Sequence, residues 1–228
     1  MKARQPLAVL FDVDGTLVDS NYLHVQAWSE AFSSVGHCVP TWEVHRAIGM
    51  DSAKLLERLL GQDAEALGAE ATELHAQKFQ ELAGKLRPFA CARELLRAVH
   101  QRGVAVVLAT SAPDEELTKL RDAFDCEDAI SFVTSSTDVN DAKPAPDVIE
   151  VALRKAQVDA TNAVLVGDAV WDGAAAGHAG VPFVGLLSGG IGEGELLAAG
   201  ASAVYEDAAD LLRGLDDSPL MRPRAAGP

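Results

Sequence analysis

A chain of 228 residues with 48% hydrophobic residues is long and apolar enough to bury a sizeable core, which excludes a disordered polymer and suits one domain or a domain carrying a large insertion. Its formal net charge of −15 repels phosphodiester backbones and anionic lipid surfaces, so neither nucleic acid nor membrane is an expected partner. The three cysteines form no CxxC pair and read as reduced, partly buried thiols, no apolar stretch reaches the about 18 residues of a membrane span, and MKARQP runs into a strand without a signal-peptide core, so the expected location is cytoplasmic.

In chain order, Pro6 punctuates the start, and Leu7 to Phe11 forms a short continuous apolar run, the pattern of a strand covered on both faces. It leads into FDVDGTLVDS, which sets Asp12, Asp14 and Asp19 behind the strand with a turn-forming Gly15 among them. From about Asn21 to Arg87 no strand-like run occurs. Leu23, Ala27, Ala31 and Val35 recur at i, i+4 spacing with Trp28 and Phe32 beside them, Leu55, Leu56, Leu59 and Leu60 repeat the pattern, and Ala64 to Ala83 reads as a third helix. This predicts an all-helical insertion over residues 19–87, with Trp28 and Trp42 in its core. Leu95, Leu96 and Val99 mark the next helix, and Val104 to Ala109 a second strand that ends at Thr110 and Ser111. In DAKPAPD, Lys143 precedes Pro144, a residue suited to the first turn of a helix whose apolar positions are Val148, Val151 and Ala152. Ala163 to Val166 is a third strand, closed by Gly167 and Asp168, and Asp172 follows in GDAVWDG. Past Leu215 the chain has no periodicity and reads as a flexible tail over 215–228. Strands and helices in alternation predict an α/β fold with a parallel sheet, its core formed by residues 1–18 and 88–214.

In such sheets ligands bind beyond the carboxyl ends of the strands, where Asp12, Thr110, Ser111 and Asp168 would converge. Asp12 and Asp14 are two apart, so at an extended strand end their side chains point the same way, and two ionised carboxylates so placed repel unless they share a cation or one takes a proton. Asp168 and Asp172, four apart across a strand-to-helix junction, can face the same cleft. Acids gathered in this way ask for a hard cation, and magnesium fits because it favours carboxylate oxygens and binds beside phosphate. Thr110 and Ser111 add hydroxyl and backbone N–H donors suited to phosphate oxygens. With Asp12, Asp168 and Asp172 ionised and Asp14 protonated, three negative charges face one divalent metal and Lys143, and a phosphoryl dianion can enter because those cations are there. Phosphoryl transfer needs positioning and neutralisation above all, and a carboxylate can serve as its nucleophile.

FDVDGTLVDS, LATS, DAKPAPD and VGDAVWDG, in this order, resemble the four motifs of the haloacid dehalogenase-like hydrolase superfamily. The resemblance implies a Rossmann-like core with a helical type-1 cap, as in phosphoglycolate phosphatase-like and beta-phosphoglucomutase-like members. It also implies a magnesium-dependent phosphatase that acts on a small phosphorylated metabolite through an aspartyl-phosphate. By the same resemblance Asp12 is the nucleophile, and Asp14 first protonates the leaving oxygen and then activates water. Thr110 and Lys143 hold the phosphoryl group, Asp12, the Asp14 main-chain carbonyl and Asp168 bind magnesium, and Asp172 supports the metal shell. The cap segment from His45 to Met50 resembles the family's substrate-facing segment, which makes His45 and Arg46 candidates for an anionic substrate, while Arg46 equally suits a surface salt bridge.

Three other readings compete. A dehalogenase would lack the second aspartate of the first motif, and here Asp14 is present. A phosphohexose mutase of the same family would carry a glutamate ahead of the fourth-motif aspartate, where this chain has Gly167. A non-catalytic metabolite-binding module would be favoured by a missing nucleophile or lysine, and neither Asp12 nor Lys143 is missing.

Overall fold

Strand β1, Ala8–Phe11, is buried along its whole length, as a continuous apolar run must be when neighbouring elements cover both faces. It opens a computed structural model that describes residues 7–110, 112–124, 126–135 and 143–221. The chain divides into two compact units, one that runs to Asp19 and resumes at Pro88, and one that comprises Ser20–Arg87.

The Ser20–Arg87 unit holds helices α1 (Asn21–Ser34), α2 (Thr41–Ala47), α3 (Ser52–Leu60) and α4 (Ala64–Leu82). Its apolar centre gathers Trp28, Ala31, Phe32, Val44, Ala47, Leu55, Leu59 and Ala71. Rings join α1 to α4, with Trp28 stacked on His75 at 4.1 Å between centroids and His24 on Phe79 at 4.0 Å. Asp51 starts α3 by accepting the Ala53 and Lys54 amides at 2.9 and 3.3 Å, and Gly61 ends it at φ 57°. Helix α2 went unread in the sequence, and Trp42 departs from its expected core position with 66% exposure. The buried residues of α2 are Val44 and Ala47, and Trp42, two positions before Val44, falls more than half a turn round the helix from them.

In the other unit the chain continues through α5 (Ala92–Gln101), β2 (Ala105–Leu108), α6 (Asp114–Phe124), β3 (Phe132–Val133), α7 (Asp147–Ala156), β4 (Ala163–Gly167), α8 (Val170–Ala179), β5 (Phe183–Leu186), α9 (Glu193–Ala198), β6 (Ala201–Tyr205) and α10 (Ala208–Arg213). The sheet is all parallel, in the order β3-β2-β1-β4-β5-β6. Leu10, Val107, Leu165 and Phe183 pack with Val148, Ile149 and Ala152 of α7 and with Ala175 and Ala176 of α8, while α5 buries Leu95, Leu96 and Val99. From β1 the chain winds outward to β2 and β3, then returns to lay β4 on the other side of β1. That reversal is a switch point, and a crevice opens beyond the carboxyl ends of β1 and β4.

Several expectations are corrected. Pro144 does not lie in the first turn of a helix, because α7 begins at Asp147. The ring of Pro146 disfavours helical backbone at Ala145, which delays the start of the helix. In the described part of the expected tail, Leu215–Asp217 forms a 3-10 turn, Asp216 pairs with Arg102 at 2.7 Å, and Leu220 is buried. Residues 222–228 lie outside the described residues. All three cysteines are free, but Cys38 and Cys91 are exposed and Cys126 alone is buried. Among the described residues, no helix is long and apolar enough to cross a membrane.

Candidate active site

The site begins where β1 ends. Phe11 pairs with Leu108 on one side and Val166 on the other, and the Asp12 amide extends the second pairing by donating to the Val166 carbonyl at 2.9 Å. The next residues turn at once. Gly15 at φ 73° reverses the chain, and the Val13 carbonyl accepts the amides of Thr16, Leu17 and Val18 at 3.3, 2.9 and 3.0 Å. Asp12 is thereby held at the carboxyl end of β1 at 7% exposure, and Asp14 stands half-buried on the same pinned loop.

Strand β4 delivers the matching acids. Asp168 follows its last residue, and Asp172 lies in the first turn of α8, where its Oδ2 accepts the Ala169 amide at 3.0 Å. Its Oδ1 points the other way, 2.6 Å from Lys143 Nζ, so one carboxylate both caps the start of α8 and faces the site. Lys143 also donates to Asp12 Oδ1. The Thr16 hydroxyl donates to Asp168 Oδ1 at 2.8 Å and sits 3.4 Å from Asp12 Oδ2. With one proton to give, it bonds the nearer acid and bridges the two strand ends. Asp12, Asp168 and Asp172 thus each present a carboxylate oxygen within 4.8 Å of the others, and all three are buried.

Burial raises the Asp12 carboxyl well above the ordinary aspartate range, Lys143 opposes that rise, and Asp172 and Asp168 reinforce it. Burial also works against the Lys143 ammonium, but the Asp12 and Asp172 carboxylates outweigh it and hold the lysine above its ordinary pKa. Lys143 is therefore a permanent cation. Fully ionised, three carboxylates against one ammonium leave two negative charges uncompensated, and three buried oxygen donors within 4.8 Å fit a hard divalent ion. Lys143→Met keeps much of the stem and removes the ammonium, which leaves the acids facing one another. In metal-free buffer it is expected to lower stability by about 3–5 kcal/mol, read as an earlier urea midpoint. An unchanged midpoint would show that the acids discharge at no cost.

Thr110 follows β2 at the same end of the sheet. Its hydroxyl accepts the Ala112 amide at 3.0 Å, and its own amide donates to Thr134 Oγ1 at 3.1 Å, so Thr134, unread in the sequence, fixes this loop from the end of β3. Ser111 lies outside the described residues. His45 and Arg46 belong to α2 in the helical unit, both half-buried, with His45 stacked on Tyr22 at 5.1 Å. Thr16 was within the quoted first motif without a role, because its partner is 152 residues away.

One further packing feature bears on the chemistry. A Cβ on Gly167 would lie 2.5 Å from Cγ and Oδ2 of Asp172, so only glycine leaves that carboxylate where it stands.

Residues 6–180 match the family model for haloacid dehalogenase-like hydrolase. The chain is 31% identical over 220 residues to a phosphoglycolate phosphatase of Rhodospirillum rubrum, which covers 90% of this chain and 89% of that protein. It is 29% identical over 195 residues to a phosphoglycolate phosphatase of Pseudomonas fluorescens, with 82% and 72% covered. The crystal structure of a hydrolase from Pseudomonas syringae superposes with a TM-score of 0.87 at 34% identity, covering 92% of this chain and 98% of that one.

Proposed function

The chain belongs to the haloacid dehalogenase-like hydrolases, and on that footing we propose that it is a magnesium-dependent phosphatase that hydrolyses a small phosphomonoester through an aspartyl-phosphate on Asp12. The observation that carries this reading is the placement of Asp12, buried at the switch point with Lys143 on one oxygen and Asp168 and Asp172 within reach.

An Asp12 oxygen attacks phosphorus as the ester P–O bond breaks, and Asp14, entering as the acid, gives its proton to the leaving oxygen. Asp14, now a carboxylate, then takes a proton from the water that attacks the aspartyl-phosphate, and the P–O bond to Asp12 breaks to restore the free acid. Lys143 and Thr110, with Ser111 as a further candidate, hold the phosphoryl oxygens. Asp12, Asp168 and the Asp14 main-chain carbonyl would hold magnesium, with Asp172 in support, and the bound ion would neutralise charge on the phosphoryl group. The small phosphorylated substrate is drawn in by these cations against the negative charge of the chain.

Gly167 supports hydrolysis over transfer to a sugar. A glutamate there, the mutase pattern, would drive its Cβ to 2.5 Å from Asp172. The name of the curated relatives makes 2-phosphoglycolate the first compound to test. Phosphate release from a panel of 2-phosphoglycolate, sugar phosphates and nucleotides should be fastest for one small phosphomonoester. Conversion of β-glucose 1-phosphate to glucose 6-phosphate faster than any release would overturn the phosphatase reading.

The resemblance also assigns substrate selection to the segment around Arg46. Arg46→Ala should then lower kcat/KM on the best substrate by roughly tenfold, about 1.4 kcal/mol, and leave p-nitrophenyl phosphate turnover nearly unchanged. Equal losses on both substrates would assign Arg46 a structural role.

A further inference from the structure

Beyond the motif residues, a turn far along the chain closes on one of the acids. The register that pairs Gly167 with Gly185 brings the segment after β5, Leu187–Gly189, alongside Asp168. A Cβ built on Gly189 would fall 1.7 Å from Asp168 Oδ2 and 2.5 Å from its Cγ, so the Gly189 backbone lies flush against the carboxylate with no room for any side chain. Asp168 Oδ1 meanwhile takes the Thr16 hydroxyl at 2.8 Å. Ser188 ties the turn to the same loop, its Oγ donating to the Gly15 carbonyl at 2.7 Å. The Asp168 carboxylate is therefore fixed from two directions, by the loop after β1 and by the turn after β5, and the two fixing segments are bonded to each other.

We propose that the Leu187–Gly189 turn is a positioning device for Asp168 as a metal-holding group, with Gly189 the positioning residue and Ser188 the tie that keeps it in place. The inference rests on the magnesium reading above. A metal carboxylate has to be held within about 0.5 Å of its productive place, and losing the groups that orient a ligand typically weakens metal affinity by about 10- to 100-fold. A methyl group at position 189 must push Asp168 aside, whereas loss of the Ser188 hydroxyl frees the turn without adding an atom.

Magnesium binding to the phosphate-free full-length protein, measured by calorimetry, tests this together with KM for the phosphoester at saturating magnesium. Gly189→Ala is expected to weaken magnesium binding by about 10- to 100-fold, and Ser188→Ala by a factor near the lower end of that range, with KM at saturating magnesium within about twofold of wild type. A merely structural role would lower the unfolding temperature and leave the magnesium affinity of the folded fraction intact, and that result would overturn the proposal. If Gly189→Ala does not fold, Ser188→Ala decides, and wild-type affinity in that variant overturns the proposal as well. Absence of magnesium binding in the wild type would overturn the magnesium reading and this inference with it, whereas normal wild-type binding with unchanged variants would overturn this inference alone.

Discussion

Asp12→Asn is expected to reduce phosphate release to background while the protein stays folded. The amide has the shape of the carboxylate but neither its charge nor a nucleophilic oxygen, so the loss should be on the order of 10⁴-fold or more in kcat, the scale on which removal of a covalent nucleophile is felt. Stability should hold. Asp12 is one of three buried acids, and Lys143 retains Asp172 at 2.6 Å when the Asp12 charge is gone. Acid-quenched enzyme incubated with substrate should carry acid-stable, alkali-labile phosphate in the wild type and none in the variant. A folded variant that kept more than about a hundredth of wild-type turnover would remove Asp12 from the covalent step.

Chelation should be as severe as loss of the nucleophile. With EDTA present, release is expected to fall to background, to return on adding magnesium, and to be inhibited by calcium, whose longer bonds and looser geometry would misplace the attacking oxygen. The reason lies in the charge balance. Burial, with the other acids reinforcing it, already drives the Asp12 pKa up in the metal-free cluster, and a phosphoryl dianion would add to that repulsion. The same ion should stabilise the fold by mass action, about 2.7 kcal/mol at a hundred times its dissociation constant, visible as a concentration-dependent rise in unfolding temperature. Full turnover in rigorously metal-free buffer would contradict the magnesium assignment.

What the sequence disclosed follows from burial. β1, β2 and β4 are inner strands that read as unbroken apolar runs, and their polar ends mark Asp12, Thr110 and Asp168. β3 is two residues long, β5 is interrupted by Gly185, and β6 is largely half-exposed, so none offers a pattern of comparable strength. The acids were legible because each sits next to a local signal. Their arrangement was not: the grip of Thr16 on Asp168, the double engagement of Lys143 and the closure of Gly189 all depend on which strands become neighbours. Trp42 shows the converse, a large apolar residue assigned to a core by type and placed in solvent by helix phase.

The strand order also has a kinetic side. Lys143 meets Asp12 across 131 residues of chain, Thr16 meets Asp168 across 152, and Ser188 reaches back 173 residues to Gly15. The Thr16–Asp168 contact waits for β4 to pair with β1, and the Ser188–Gly15 contact for β5 to pair with β4, and parallel pairing over such spans is slow because loop closure precedes the contacts that offset it. On the ribosome, Asp12, Asp168 and Asp172 therefore cannot assemble until β4 has emerged and docked on β1, and the repulsion among the acids is felt only from that point. A cation that relieves it acts on interactions absent from the early transition state, so magnesium should slow unfolding while leaving the folding rate nearly unchanged.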